Sequence, residues 1–273
     1  MDNHIFTFSA IFLYLACSAL LFIQLKKPTV GSASNTVTLP KKQIILIGFA
    51  ALFLHSLALH NSMVTTLGIN LGFYNAISMV SVFIGLFTLV ATWRHPVEIL
   101  AVAFLPIAAI TLLFDNFSPT IHLLDPGSSN ALIFHILTSM IAYSILAMAA
   151  LQAILLSIQN KFLHAHQPGG IIRLMPPLRY MEVLLFELIA VGFMALTISL
   201  GSGLIFLENM FEQHLAHKTI LSIIAWFVFL TLLVGHWKLG WRGRTAIRWT
   251  LGGFVSLMLA YFGSKFVLEI ILV

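Results

Sequence analysis

Eight apolar runs, each close to the length that crosses a hydrocarbon core, dominate this chain. They cover roughly residues 5–25, 43–61, 72–92, 97–114, 131–158, 182–207, 218–238 and 247–271. A crossing helix needs about 20 residues, and lipid offers the backbone no hydrogen-bond partners, so each run is expected to be a helix. Composition closes the alternative. Of 273 residues, 60% are hydrophobic and 8% charged, whereas soluble domains carry about 25% charged residues. Water could not solvate such a surface. The expected fold is all-α, a polytopic membrane helix bundle of eight transmembrane helices, with residues 1–273 forming a single membrane domain. The opening MDNHIFTF lacks the basic n-region of a signal peptide, so the first run reads as a retained helix.

The connections set the orientation. Lys26, Lys27, Lys41 and Lys42 follow the first run; the next connection, Asn61 to Leu71, is uncharged. Arg94 comes next, then Asp115 and Asp125, then Lys161, Arg173 and Arg179, then Glu208 and Glu212, and finally Lys238, Arg242, Arg244 and Arg248. Twelve of the 14 Lys and Arg fall on one side, and six of the nine Asp and Glu on the other. By the positive-inside rule both termini are expected outside, in the periplasm or its equivalent. The net charge of +5 is accounted for by these loops, so the partner it implies is membrane lipid, with no nucleic acid.

Polar groups within a span are costly and are functional candidates by default. Most here are histidines, which ligate metal and haem and can be buried neutral. His55 falls just past mid-membrane in the second run, and His60 near its outer end; five apart, they point to different faces. His135 lies about one turn inside the fifth run, with Ser139 and Tyr143 on its face. His214 and His217 precede or begin the seventh run, and His236 sits one turn before its end. His4, His95, His122, His164 and His166 fall in loops or near a terminus, where a histidine is usually just solvated. His60 and His236, close to the interfaces, suit snorkelling or a bond to a neighbouring helix as well as ligation. His55 and His135 lie within the hydrocarbon and are the stronger candidates.

Other chemistry finds little support. The single Cys17 excludes an intrachain disulfide and any CxxC redox or zinc motif. There is no GxSxG, HExxH, P-loop or dinucleotide turn, so no enzymatic activity is expected. No carboxylate pair occupies mid-membrane, which argues against a proton pump. Lys265 and Glu269 are spaced to pair, as are Arg179 and Glu182. Gly201, Gly203, Gly252 and Gly253 are expected at close helix contacts.

Three segments carry a family resemblance. LFLHSLAL, with His55, resembles the first transmembrane haem-histidine segment of CcsA, and INLGFYNAISMV after it is similar to that family's PxSNxYES stretch. FHILTSMIAYS, with His135, resembles the segment around the first periplasmic haem histidine. HKTILSIIAW with GWRGRTAIRW resembles the run that follows the family's tryptophan-rich haem platform. Together they resemble the cytochrome c assembly superfamily, which includes CcsA, CcmC and CcmF, and within it the short eight-helix HemX- or YpjD-type branch. The departures are specific. FLENMFEQHLA replaces the tryptophan platform, His217 stands where that run has proline, His236 is two residues out of register with the second transmembrane histidine, and no second periplasmic histidine follows the last helix.

The resemblance implies a haem-binding or haem-handling protein of the bacterial inner membrane, accessory to cytochrome c or haem biogenesis, holding b-type haem non-covalently. Its partners would be haem and other assembly or membrane proteins. Candidate cofactor residues are His55, His135, His217 and His236, with His55 and His135 as the iron ligands. Depth favours His55 with His135, each five or six residues from the outer surface. His55 and His236 differ by about 18 Å in depth at 1.5 Å per residue. The alternative is a structural or transport-accessory subunit on the same scaffold that has lost haem; a proton or metal-ion carrier is a weaker third reading.

Overall fold

The computed structural model describes residues 2–26, 39–66, 68–117, 122–124, 129–165, 173–206, 216–263 and 266. Among them, eight helices are long and apolar enough to cross a membrane. They are α1 (Asp2–Leu25), α2 (Lys41–Met63), α3 (Phe73–Arg94), α4 (Glu98–Phe117), α5 (Asn130–His164), α6 (Leu178–Phe206), α7 (Ala216–Leu239) and α8 (Gly243–Met258). The eight expected spans are therefore all present. The last one changes pitch, because α8 passes into a π-helical turn at Leu259–Gly263. Lys265 and Glu269 lie outside the described residues, as does the connection 207–215 with Glu208, Glu212 and His214.

The described chain divides into two compact units, residues 1–124 with 170–176, and residues 125–169 with 177–273. In the first, α1 packs on α2 and α4, and α3 closes the ring between α2 and α4. Its core is Tyr14, Cys17 and Leu21 of α1, Ile44, Ile45 and Leu52 of α2, Leu89 of α3, and Ala101 and Leu105 of α4. Small polar groups stitch the seams by bonding to carbonyls across helices: Cys17 Sγ to Ile44 O at 3.3 Å and Ser18 Oγ to Val102 O at 3.0 Å. Lipid supplies no hydrophobic drive between helices, so packing and such bonds hold the bundle.

The uncharged connection after α2 is ordered more than its composition suggests. Val64–Thr65 (β1) pairs antiparallel with Gly68–Ile69 (β2), and the left-handed φ of 134° at Gly68 makes the turn. Asn70 Oδ1 accepts from Gly72 N at 3.0 Å and from His122 N at 2.9 Å, tying this hairpin to the connection after α4. Asn70→Ala withdraws an acceptor from two backbone donors. It is expected to cost about 2 kcal/mol, read as a lower unfolding midpoint in detergent and faster proteolysis of this loop. Asp115, expected in an outer connection, instead belongs to the last turn of α4 and is buried. It accepts from Ser62 Oγ at 3.3 Å beside Asn75, whose Oδ1 is 2.9 Å from the same hydroxyl.

In the second unit α5 packs on α6 and α8, and α7 joins α6 to α8, the same neighbour order as in the first. Seam bonds run from Gln152 Nε2 to Met181 O at 2.9 Å and from Ser256 Oγ to Leu221 O at 2.8 Å. Of the glycines expected at close contacts, Gly253 fits: a Cβ there would lie 2.9 Å from Phe229 Cζ. Gly201 and Gly252 face open space, because spacing alone does not say which side of a helix meets a neighbour.

Candidate functional site

His55 is fully buried in the first unit. Its Nδ1 lies 3.2 Å from Tyr14 Oη and its Nε2 2.9 Å from Ser78 Oγ. A neutral imidazole has one donor and one acceptor, and either tautomer satisfies both hydroxyls. The Tyr14 ring meets the imidazole edge-on at 5.8 Å. Three helices thus converge on this one side chain, and ligation through His55 would require releasing Tyr14 or Ser78. His60, five residues on, is exposed, as its spacing predicts.

His135, in the second turn of α5, is presented differently. Its Nδ1 is 3.0 Å from the Ser199 carbonyl and 3.1 Å from Ser202 Oγ. A carbonyl only accepts, so the network puts the proton on Nδ1. Nε2 keeps its lone pair and carries no hydrogen bond among the described residues. A second ring nitrogen anchored on a carbonyl is the arrangement that fixes metal-binding histidines. The carbonyl is held in turn: Ser202 Oγ donates to Ser199 O at 2.8 Å, and Ser139 Oγ sits 2.7 Å from Ser199 Oγ. The serines of α6 were the missed part. In LTISLGSGLIF, Ser199 and Ser202 are three apart and so share a face, the one signal that could have found them. Tyr143 does not join this group. It packs against Phe254 and Phe262, with ring centroids at 5.3 and 5.0 Å.

His236, in the last turn of α7, has the same tautomer. Nδ1 donates to Trp241 O at 2.9 Å, and the ring lies flat on Phe186, 3.5 Å between centroids and 15° between planes. The stack covers one face and leaves the in-plane Nε2 lone pair. The turn after α7 builds this anchor. Gly240 and Gly243 adopt left-handed φ of 68° and 53°, Trp241 N returns to Gly235 O at 3.2 Å, and the indole settles over Gly235. Glu182, expected to pair with Arg179, accepts from Gly243 N at 3.1 Å and fastens α6 to the start of α8.

His217, the second residue of α7, is exposed; His214 lies outside the described residues. His217 and His236 are about 28 Å apart along one helix and cannot flank one iron. Among the described residues no group of three or more His, Cys, Asp or Glu comes together. What the second unit offers is two separate imidazoles, His135 and His236, each oriented by a backbone carbonyl and each with a free lone pair. Each could give one nitrogen to a metal-bearing cofactor, and among the described residues neither gathers the several ligands that a bare ion needs. His55 offers no free lone pair as it stands.

The family model described as "Cytochrome C assembly protein" matches residues 43–272. The inner membrane protein YpjD of Escherichia coli (strain K12) is 33% identical over 239 residues, 85% of this chain and 88% of that protein. An uncharacterized 28.8 kDa protein of Azospirillum brasilense is 33% identical over 140 residues, 50% of this chain and 52% of that one. The cytochrome c biogenesis protein CcsA of Gloeobacter violaceus is 28% identical over 91 residues, 33% of this chain and 27% of its own length. No solved structure matches.

Proposed function

We propose a haem-handling role for this chain, which belongs to the cytochrome C assembly protein family. It is read as a multi-pass protein of the inner membrane, both termini outside, that binds b-type haem non-covalently and acts as an accessory in cytochrome c or haem biogenesis. The observation that carries this reading is His135, with Nδ1 anchored on Ser199 O and Nε2 left open. Ser139, Ser199 and Ser202 hold the imidazole plane against rotation, so His135 would meet the iron as an oriented ligand. Haem, when bound, supplies iron coordination and redox chemistry; the protein orients and shields it and makes no bond-breaking step of its own.

Protein purified from haem-supplied cells is expected to show a Soret band that His135→Ala removes. A colourless wild type under those conditions sinks the proposal. The second reading, a structural or transport-accessory subunit without haem, is favoured by one observation: both nitrogens of His55 are already bonded within the core. It expects no Soret band from any variant. The relatives' names, an inner membrane protein and a cytochrome c biogenesis protein, fit either reading.

A further inference from the structure

Where α2 begins and α3 ends, the seam between them opens into a shallow apolar groove of about 290 Å³, lined by Leu46 and Phe49 of α2 and by Val90, Trp93 and Arg94 of α3. Leu46, Val90 and Trp93 are 55%, 41% and 39% exposed, so the groove is open to its surroundings. Trp93 closes its end, edge-on to Phe49 at 6.5 Å. Positive charge sits at that end only. Arg94 forms part of the lining, and Lys42 Nζ stands 6.0 Å above the Trp93 ring. Glu98, four residues after Arg94, is paired with Lys41, which also donates to His95 O at 3.0 Å. The uncompensated charges at the mouth are therefore Lys42 and Arg94. An apolar trough capped by a tryptophan and two cations matches one chemical class: an acyl chain continued by a negatively charged headgroup. Tryptophan sits at headgroup level in membranes, and basic pockets between membrane helices hold anionic lipid headgroups.

We propose that this groove binds one anionic glycerophospholipid, an acyl chain lying along Leu46, Phe49, Val90 and Trp93 and the phosphate meeting Lys42 and Arg94. Any lipid would wet an apolar seam, so the claim lies in headgroup selectivity joined to the groove. The test is native mass spectrometry of the full chain in detergent, titrated separately with phosphatidylglycerol and phosphatidylcholine. The wild type is expected to retain phosphatidylglycerol with a preference on the order of tenfold. Lys42→Gln with Arg94→Gln removes the preference, since neither exposed side chain supports the core. Val90→Trp fills the trough, leaves both charges, and removes the tight adduct. Unchanged unfolding midpoints show that each variant is folded. Equal retention of the two lipids by the wild type overturns the proposal. So does a preference that survives in the double variant, or in Val90→Trp, which would reduce it to a general surface field. Displacement of the lipid by millimolar inorganic phosphate overturns it as well, since the acyl contacts would then contribute nothing.

Discussion

His55→Ala lowers stability by about 3–5 kcal/mol, measured by thermal or detergent unfolding of the purified protein. The loss has two parts. The first is the space left by a wholly buried imidazole, which the packed walls of α1, α2 and α3 fill only in part. The second is the pair of hydroxyls it leaves behind. Tyr14 and Ser78 are each 0% exposed, and a buried polar group stripped of its partner costs about 1–3 kcal/mol. His55→Asn retains one of the two bonds and falls between the variant and the wild type. The result also separates two roles. A ligand that merely reached iron from the core wall would lose the Soret band and keep its apo-protein stability. A residue on which three helices converge loses stability whether or not haem is supplied. An apo His55→Ala protein as stable as the apo wild type would show that the Tyr14–His55–Ser78 contacts contribute nothing.

Gly235→Leu costs about 3 kcal/mol, at the upper end for overpacking. A Cβ at this position would lie 2.5 Å from Trp241 Cδ2, so the indole must shift, and the turn that carries it shifts with it. That turn holds four bonds: Gly240 N to His236 O, Trp241 N to Gly235 O, His236 Nδ1 to Trp241 O, and Gly243 N to Glu182. The clash therefore spreads to the anchor of His236 and to the junction of α6 with α8. A double-mutant cycle isolates the cause. On a Trp241→Ala background the glycine change is expected to cost under about 1 kcal/mol, because no ring remains to collide with. A penalty undiminished by Trp241→Ala would place the strain elsewhere on α7.

Length and hydropathy made the eight helices legible, since a run of apolar residues with no breaker leaves the backbone no other way to satisfy itself in lipid. Ends were less legible. α5 continues to His164, past the expected 158, and α8 begins at Gly243, before the expected 247. In both places polar residues extend a helix that apolar counting stops short. The hairpin after α2 was invisible because two-residue strands carry no periodicity. Asp115 was assigned to a loop because a carboxylate near an interface ordinarily seeks water; only the nearby Ser62 and Asn75 make its burial tolerable. For the site, the histidines were readable and their partners were not. Tyr14, Ser78, Ser199, Ser202 and Phe186 come from other helices, and spacing within a helix carries no information about which neighbour it meets. GWRGR was readable as a motif, while the folding of Trp241 over Gly235 depends on two left-handed glycines on either side of it.

The 35 residues of α5 make a rod about 52 Å long at 1.5 Å per residue, against a hydrocarbon core of about 30 Å. Inclination does not absorb the difference. Fitting the whole rod inside the core would take a tilt of about 55°, beyond the 0–40° of membrane helices. Part of α5 therefore stands clear of the oily layer as a stalk. Its last turn, with Lys161, Phe162, Leu163 and His164 all exposed, is lifted toward the water.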